Sequence, residues 1–177
     1  MIVTKKTKNR LRISVGLIVA FPVAILTQLT SFIIGKQRTI KYFGPWVTIF
    51  AASLQNFFPP KINKSSEFEL FKSKVKDKQR IWGLLYDYTI ESPDNNTVQL
   101  NIKNCPFAEA LKILKISEFG YYVCQGDWKV AKNNSDKWLF ERRGSIATGG
   151  KICDFTYKKI KDAGYGSTQH QYPPLLR

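Results

Sequence analysis

The sequence predicts an α+β fold, with helices packed on an antiparallel sheet and a transmembrane helix at the N-terminus. Two strand-like segments near residue 90 are joined by turn residues, and a second strand-like pair near residue 145 is separated by glycines. Helical periodicity lies between the two pairs, an order that is typical of an α+β domain. A long uncharged apolar run precedes them. We therefore expect the 177 residues to form one domain of ordinary size and one attachment segment.

The apolar run extends from Ile13 to Gly35 and carries no charge over 23 residues. A helix that crosses a membrane needs about 20 apolar residues. A cleaved signal peptide has a shorter apolar core, and no clean cleavage site follows Leu26. A buried helix of a soluble protein is the other alternative, but basic flanks fit a span better, and we expect an anchor over residues 1–41. The flanking residues are Lys5, Lys6, Lys8, Arg10 and Arg12 before the run and Lys36, Arg38 and Lys41 after it.

A second uncharged segment runs from Tyr42 to Pro60 and is rich in aromatic residues, among them Trp46. Aromatic side chains collect at membrane interfaces, so this segment predicts an interfacial or re-entrant helix that ends at Pro59 and Pro60. A helix packed on the soluble domain is the alternative interpretation. Together with a short polar linker, the segment occupies residues 42–66.

The net charge of +15 is distributed unevenly along the chain. Residues 1–66 contain ten basic and no acidic residues, whereas residues 67–177 contain eighteen basic and thirteen acidic ones. Attraction to anionic lipid explains this distribution. Nucleic acid is not expected as a partner, because no acid-free stretch lies outside the membrane-flanking region. The expected partners are the lipid bilayer and, for a subunit of a membrane complex, other membrane proteins.

The side of the membrane is predicted from the thiols. Three cysteines, an odd number, do not suggest a disulfide framework, and free thiols favour a reducing compartment. The basic flanks, five residues against three, slightly favour a cytoplasmic N-terminus. We expect a single-pass protein with its domain on the cytoplasmic side; a helix lying in the interface without crossing is the alternative.

The domain is expected over residues 67–163. Ser66 and Glu69 form a capping-box pattern before a helix. Strand-like residues 82–91 and 97–103, joined by the turn residues SPDNN, predict a hairpin.

The second half of the domain predicts two helices and two strands. Pro106 suits the first position of a helix. Residues 118–130 predict a helix followed by a turn at Gly126. Residues 138–143 and 152–159 predict strands on either side of the glycine-rich GSIATGGK, and the tail over residues 164–177 is expected to be irregular.

All three cysteines lie in this domain: Cys105 in NCPF, Cys124 in CQGD and Cys153 in CDF. The runs NCPFAEALK, YYVCQGD and LFERRGSIATGGKICDF resemble the L-2-amino-thiazoline-4-carboxylic acid hydrolase family. The resemblance covers residues 104–157; Ser145 stands where a Thr is expected, and the first 60 residues differ from soluble members, which implies a membrane-attached relative. The matching positions are Cys105, Pro106, Cys124, Asp127, Glu141, Arg142, Ser145, Gly149, Cys153, Asp154 and Phe155.

The resemblance implies hydrolysis of a C–N bond in a small heterocycle, in which water or a thiolate attacks the carbon between nitrogen and sulfur. A cysteine becomes a nucleophile when nearby positive charge, here Arg142 or Arg143, lowers its pKa. A buried carboxylate, Asp127 or Asp154, can activate water or relay protons. Strand alternation places Cys153 and Phe155 on one face and Asp154 on the other. The implied catalytic set is Cys105, Cys124, Asp127, Arg142, Cys153 and Asp154.

Other interpretations of these residues remain open. Three converging thiols, completed by Asp or water, can hold a divalent metal such as Zn²⁺, which makes Cys105, Cys124 and Cys153 candidate ligands, although their spacing matches no known zinc motif. Each cysteine can equally be a small buried hydrophobe. The only histidine, His170, lies in the tail, so no serine or cysteine triad is supported. A non-catalytic accessory subunit that retains the fold as a scaffold is the alternative function.

Overall fold

The computed structural model describes residues 5–160, and the tail expected over residues 164–177 lies outside them. The described residues form five α-helices and four strands. The helices are α1 (Lys5–Ile34), α2 (Lys36–Gln55), α3 (Phe68–Trp82), α4 (Pro106–Ile113) and α5 (Gly120–Lys132), and the strands are β1 (Tyr88–Glu91), β2 (Thr97–Ile102), β3 (Trp138–Arg142) and β4 (Cys153–Lys159). The predicted α+β class is confirmed.

The four strands form one antiparallel sheet in the order β1-β2-β4-β3. The predicted hairpin is present, because β1 and β2 pair across residues 92–96. Strand β4 lies in the middle, where Phe155 pairs with Leu100 of β2 and with Arg142 of β3. This central position places β4 beside residues of both β2 and β3.

The main core lies on one face of the sheet. Alternate residues of β2, β3 and β4 are buried, as the period of a strand requires. Helix α3 covers this face with Phe68 and Phe71, whose stacked rings lie 5.4 Å apart. Trp128 of α5 meets Phe140 edge to face at 5.1 Å. The sheet and α5 therefore share one hydrophobic core.

Helices α1 and α2 pack on the two helices of the second half, α1 on α4 and α2 on α5. Small residues permit the close approach. A Cβ at Gly16 would overlap the carbonyl oxygen of Pro106, and a Cβ at Gly126 would overlap the side chain of Gln55 and lie 2.8 Å from the Ala52 nitrogen. Gly35, with φ of 83°, separates α1 from α2.

Helix α1 is long and apolar enough to cross a membrane, and it is the one helix of the described residues with that property. The aromatic segment predicted at the interface falls mainly on α2. Thr48 Oγ1 donates to the Tyr122 carbonyl at 2.9 Å, and Gln55 Nε2 donates to the Val123 carbonyl at 3.0 Å, while Trp46 is exposed. The inner face of α2 therefore packs on the domain, as the alternative interpretation of this segment states.

Three local predictions are wrong. The strand expected from residue 82 begins only at Tyr88, because Trp82 ends α3 and packs its ring against Phe58 and Tyr86. Helix α5 continues through Gly126 instead of turning there. The glycine lacks a side chain, and residues of α2 occupy the space that a Cβ would fill. No side-chain cap starts α3, since a turn of 3₁₀ helix (Ser65–Glu67) leads directly into it.

Candidate active site

A cavity between the sheet and helices α2, α4 and α5 brings three thiols and a carboxylate together. Its volume is about 80 Å³. All three cysteines and one of the two predicted aspartates line it, among side chains that are otherwise mostly apolar. The lining residues are Leu54, Gln55, Phe58, Trp82, Tyr86, Ile102, Cys105, Phe107, Val123, Cys124, Asp127, Cys153 and Phe155.

Cys105 enters the cavity from the start of α4. It is the N-cap residue, and its sulfur accepts the Ala108 N–H at 3.4 Å. Pro106 follows as the first helical residue, as predicted, because its ring has the φ of a helix and it lacks an N–H that would need a partner. The Cys-Pro pair thus starts the helix and positions the thiol together.

Cys124 lies on the inner face of α5. Its sulfur is 2.8 Å from the Ser145 hydroxyl, and its carbonyl accepts from Arg142 Nη2 at 3.1 Å. Ser145 is buried in the loop between β3 and β4. The position where the sequence has Ser instead of the expected Thr is therefore in direct contact with a predicted site cysteine.

Asp127 lies one helical turn after Cys124 and forms an ion pair with Arg142 Nη1. Both side chains are largely buried, at 15% and 5% exposure. The guanidinium is also flanked by the rings of Trp128 and Phe155, at 5.7 and 5.8 Å from their centroids. Arg142 thus holds the carboxylate in place from beneath the cavity without lining it.

The pKa of Asp127 reflects two opposing effects. Burial raises the pKa to about 6, and the Arg142 guanidinium beside it opposes that rise. A carboxyl with this pKa is largely ionised at neutral pH and can still accept a proton. These are the properties of a general base that works near neutrality.

Cys153 and Asp154 point in opposite directions, as strand alternation predicts. Cys153 is buried, lines the cavity and accepts the Ile146 N–H at 3.3 Å. Asp154 does not line the cavity. Its carboxylate accepts the N–H groups of Arg143 and Gly144 at 3.0 and 2.6 Å, and so holds the turn after β3.

None of the three thiols has the lowered pKa of a cysteine that is nucleophilic without a base. Burial raises the pKa of Cys124 to about 11, although Arg142 and the Ser145 hydroxyl oppose the shift. Burial also raises the pKa of Cys105 and of Cys153. A thiolate at any of these positions needs a base to remove its proton when substrate is bound.

The metal hypothesis finds no coordination site in the described part of the chain. Among residues 5–160, no group of three or more His, Cys, Asp and Glu side chains is arranged to hold a metal ion. The three thiols instead have separate partners: Cys105 an N–H of α4, Cys124 a hydroxyl, and Cys153 an N–H of the β3–β4 loop.

Two polar residues of the cavity escaped the sequence analysis, Gln55 and Tyr86. Gln55 Oε1 is buried against Gly126 of α5 and has no hydrogen-bond partner within residues 5–160. Gln55 stands at the end of an aromatic, apolar segment, and only the packing of α2 on α5 reveals its position. Tyr86 follows α3 in a stretch that had been predicted as strand.

Comparison with known proteins adds an independent observation. No curated protein matches the chain. The family model of L-2-amino-thiazoline-4-carboxylic acid hydrolase matches residues 24–157, which include the end of α1, all of α2 and the sheet as far as Tyr157 of β4. The match is longer than the resemblance visible in the cysteine runs, and it includes every residue that lines the cavity. The chain therefore belongs to the L-2-amino-thiazoline-4-carboxylic acid hydrolase family.

Proposed function

We propose that the protein is a membrane-attached hydrolase that opens a small heterocycle by breaking a C–N bond, with Cys124 as nucleophile and Asp127 as general base. The observation that carries the proposal is the meeting of three thiols and an ionisable carboxylate in one cavity of family-typical sequence. The family name supplies the substrate class, a cyclic amidine.

Cys124 is favoured among the three thiols by its neighbours. It lies one helical turn from Asp127 on α5, and Arg142 contacts its carbonyl. Positive charge from Arg142 lowers the pKa of this thiol, in opposition to burial. Cys105 and Cys153 each accept a backbone N–H, whereas the partner of the Cys124 sulfur is a hydroxyl that can either donate or accept.

In the proposed reaction, Asp127 takes the proton of Cys124 as the sulfur attacks the ring carbon. The sulfur forms a bond to that carbon, and the ring C–N bond breaks. The carbon stays bound to Cys124 until water attacks it and releases the thiol. The proton on Asp127 passes to the departing nitrogen. The apolar walls of the cavity would exclude bulk water from the reacting groups.

The test is hydrolysis of L-2-amino-thiazoline-4-carboxylate by detergent-purified full-length protein. Cys124→Ser and Asp127→Asn should each lower kcat by at least about a hundredfold, the scale of a lost acid–base or nucleophilic group. Cys153→Ser is the matched control at another thiol of the same cavity and should retain most activity. A covalent adduct on Cys124, located by mass spectrometry, should accumulate with slow substrates.

The outcomes separate the alternatives. Full activity of Cys124→Ser together with an inactive Asp127→Asn would make water the nucleophile. Inactivity of the wild-type chain toward cyclic amidines, combined with unreactive thiols, would favour the second candidate, a non-catalytic accessory subunit. The raised pKa of all three thiols is the observation that favours that candidate.

Membrane attachment is the other part of the proposal. Support comes from the length and apolar character of α1 and from the ten basic and no acidic residues in 1–66. Only 17% of the most apolar 18-residue window of α1 is buried within the structure. The single-pass arrangement with the domain on the cytoplasmic side stays a prediction, and flotation of the expressed protein with membranes tests the attachment itself.

A further inference from the structure

Helix α1 packs on α4 of the domain, and its buried residues run from Gly16 to Thr27. Near its start, Arg12 Nη2 lies 3.0 Å from Glu109 Oε1 of α4, and just past its end Lys36 pairs with Glu118. Between these pairs, Gly16 meets the Pro106 carbonyl, and Ala20 and Ala24 share a core with α4. The domain therefore runs alongside the helix.

This contact conflicts with a helix that crosses a bilayer. Arg12 and Ile34 are about 33 Å apart along α1, and the hydrocarbon layer is about 30 Å thick. If α1 crossed the layer in this structure, residues 109–118 would cross with it, including the exposed Lys112 and Lys115. Charged side chains in hydrocarbon are strongly unfavourable.

The outer faces of α1 and α2 are apolar and exposed. On α1, exposed side chains recur at helical spacing, and Phe32 is 95% exposed; we call this set the α1 stripe, defined by Ile18, Phe21, Ile25, Leu29 and Phe32, with Leu26 and Ile33 beside it. On α2, Tyr42, Trp46, Ile49 and Phe50 are likewise exposed. Each helix thus packs one face on the domain and presents an apolar stripe on another.

From these observations we infer that α1 and α2 lie in the plane of an anionic membrane surface, held by the α1 stripe and by basic residues, without crossing the bilayer. Charge complementarity identifies the occupant as anionic lipid. The exposed Lys5, Lys6 and Arg10 precede the stripe and Arg38 and Lys41 follow it, with no acidic residue before Glu67. An apolar face with aromatic residues and basic neighbours is typical of interfacial helices.

The inference rests on the proposed membrane attachment and replaces the single-pass arrangement with an in-plane one, so the experiment has two readouts. Full-length protein is mixed with sealed vesicles of phosphatidylcholine, with or without phosphatidylglycerol, and floated. We expect binding to the anionic vesicles that weakens as salt rises. Ile18→Asp and Ile33→Asp should each weaken binding by about tenfold or more. Ile81→Asp, at a similarly exposed isoleucine of α3, is the matched control and should not.

The second readout is topology. Cysteines are placed at the exposed positions Lys5 and Gln37, on either side of α1, in protein expressed into membranes that are recovered as sealed vesicles. A membrane-impermeant maleimide added outside the vesicles should label both positions or neither. The unsubstituted protein measures the labelling that comes from the three native thiols.

Each outcome decides a different point. Labelling of only one of the two positions would overturn the in-plane arrangement and keep the membrane attachment. Failure to float would overturn both. A soluble dimer that the Ile18→Asp change dissociates, without vesicle binding, would assign the α1 stripe to a second copy of the chain. Equal binding of Ile81→Asp and Ile18→Asp would exclude the α1 stripe as the contact.

Discussion

The ion pair of Asp127 and Arg142 connects the core to the candidate site. Arg142 comes from β3, Asp127 from α5, and the guanidinium is flanked by two aromatic rings of the core. A buried ion pair contributes little when it is compared with a well-packed apolar pair, but removal of one partner leaves an uncompensated charge. The pair therefore makes the position of the carboxylate depend on a single neighbouring side chain.

We expect Arg142→Met to lower the free energy of unfolding by about 3–5 kcal/mol, because it leaves Asp127 buried without its cation. The double variant Arg142→Met/Asp127→Leu should recover a large part of that loss. Urea denaturation of the two variants and the wild type measures both quantities. Additive losses in the double variant would contradict the coupling of the two side chains.

The raised pKa of Asp127 predicts a pH dependence of stability. In the folded chain this carboxyl holds its proton up to a pH of about 6, compared with an ordinary pKa of 3.8. The folded state therefore binds the proton more tightly, and its contribution to stability is fully present below pH 3.8 and is lost as pH rises through about 6.

Asp127→Asn should remove that part of the pH dependence. Urea midpoints of the wild type and the variant between pH 4 and about 7 measure it, and parallel curves would contradict the raised pKa. The same group predicts the activity profile of the proposed enzyme, in which kcat/KM rises through pH about 6 as the base becomes ionised.

At the scale of elements, the packing of α2 on α5 forms one wall of the cavity. The two helices approach closely at Gly126, where the Gln55 side chain and the Ala52 backbone occupy the space of a Cβ. Sequence reasoning took this glycine as a turn signal, since glycine both ends helices and permits close packing. Which of the two applies depends on a partner helix that is distant in sequence.

Gly126→Ala tests the close approach. In a free helix the change would stabilise the protein by up to about 1 kcal/mol, because alanine has the higher helix propensity. Here the methyl group must displace α2, and we expect a loss of about 1–3 kcal/mol instead. Lys129→Ala, on the exposed face of the same helix, is the matched control, with a change within about 0.5 kcal/mol. Thermal denaturation distinguishes the two signs.

The elements that were predictable from the sequence are those with local signals. Alternation and turn residues predict β2, β4 and the hairpin, and Pro106 predicts the start of α4. The boundary between α3 and β1 was missed, because Trp82 suits a strand in composition and here packs its ring at the end of a helix.

For the site, the ordered cysteine runs predicted which residues converge, and Cys105, Cys124, Asp127 and Cys153 do line one cavity. Asp154 was grouped with them because it matches the Cys-Asp-Phe segment of the family, yet its carboxylate accepts two N–H groups of a turn. Gln55 was missed because nothing in its own surroundings differs from an ordinary helix end. Its role depends on the tertiary contact of α2 with α5.

At the scale of the whole molecule, the chain separates a mostly apolar, thiol-lined cavity from a basic and apolar N-terminal surface. The cavity is formed by α2, α4, α5 and the sheet, whereas the exposed basic residues near the start of α1 do not contact it. Lys8 and Arg12 differ from their neighbours because they pair with Asp87 and Glu109 of the domain. The exposed Lys6 and Arg10 are therefore among the residues whose charge is available to lipid.

This separation predicts that membrane binding and hydrolysis can be changed independently. Lys6→Glu/Arg10→Glu should weaken binding to anionic vesicles by about tenfold or more, because each basic residue near such a surface contributes about 1 kcal/mol and reversal adds repulsion. Hydrolysis in detergent should be unchanged. Lys129→Glu/Lys132→Glu, which alters the net charge equally but lies at the end of α5, should leave binding nearly unchanged. Equal losses in the two double variants would mean that net charge alone, and not its position on α1, directs the protein to lipid.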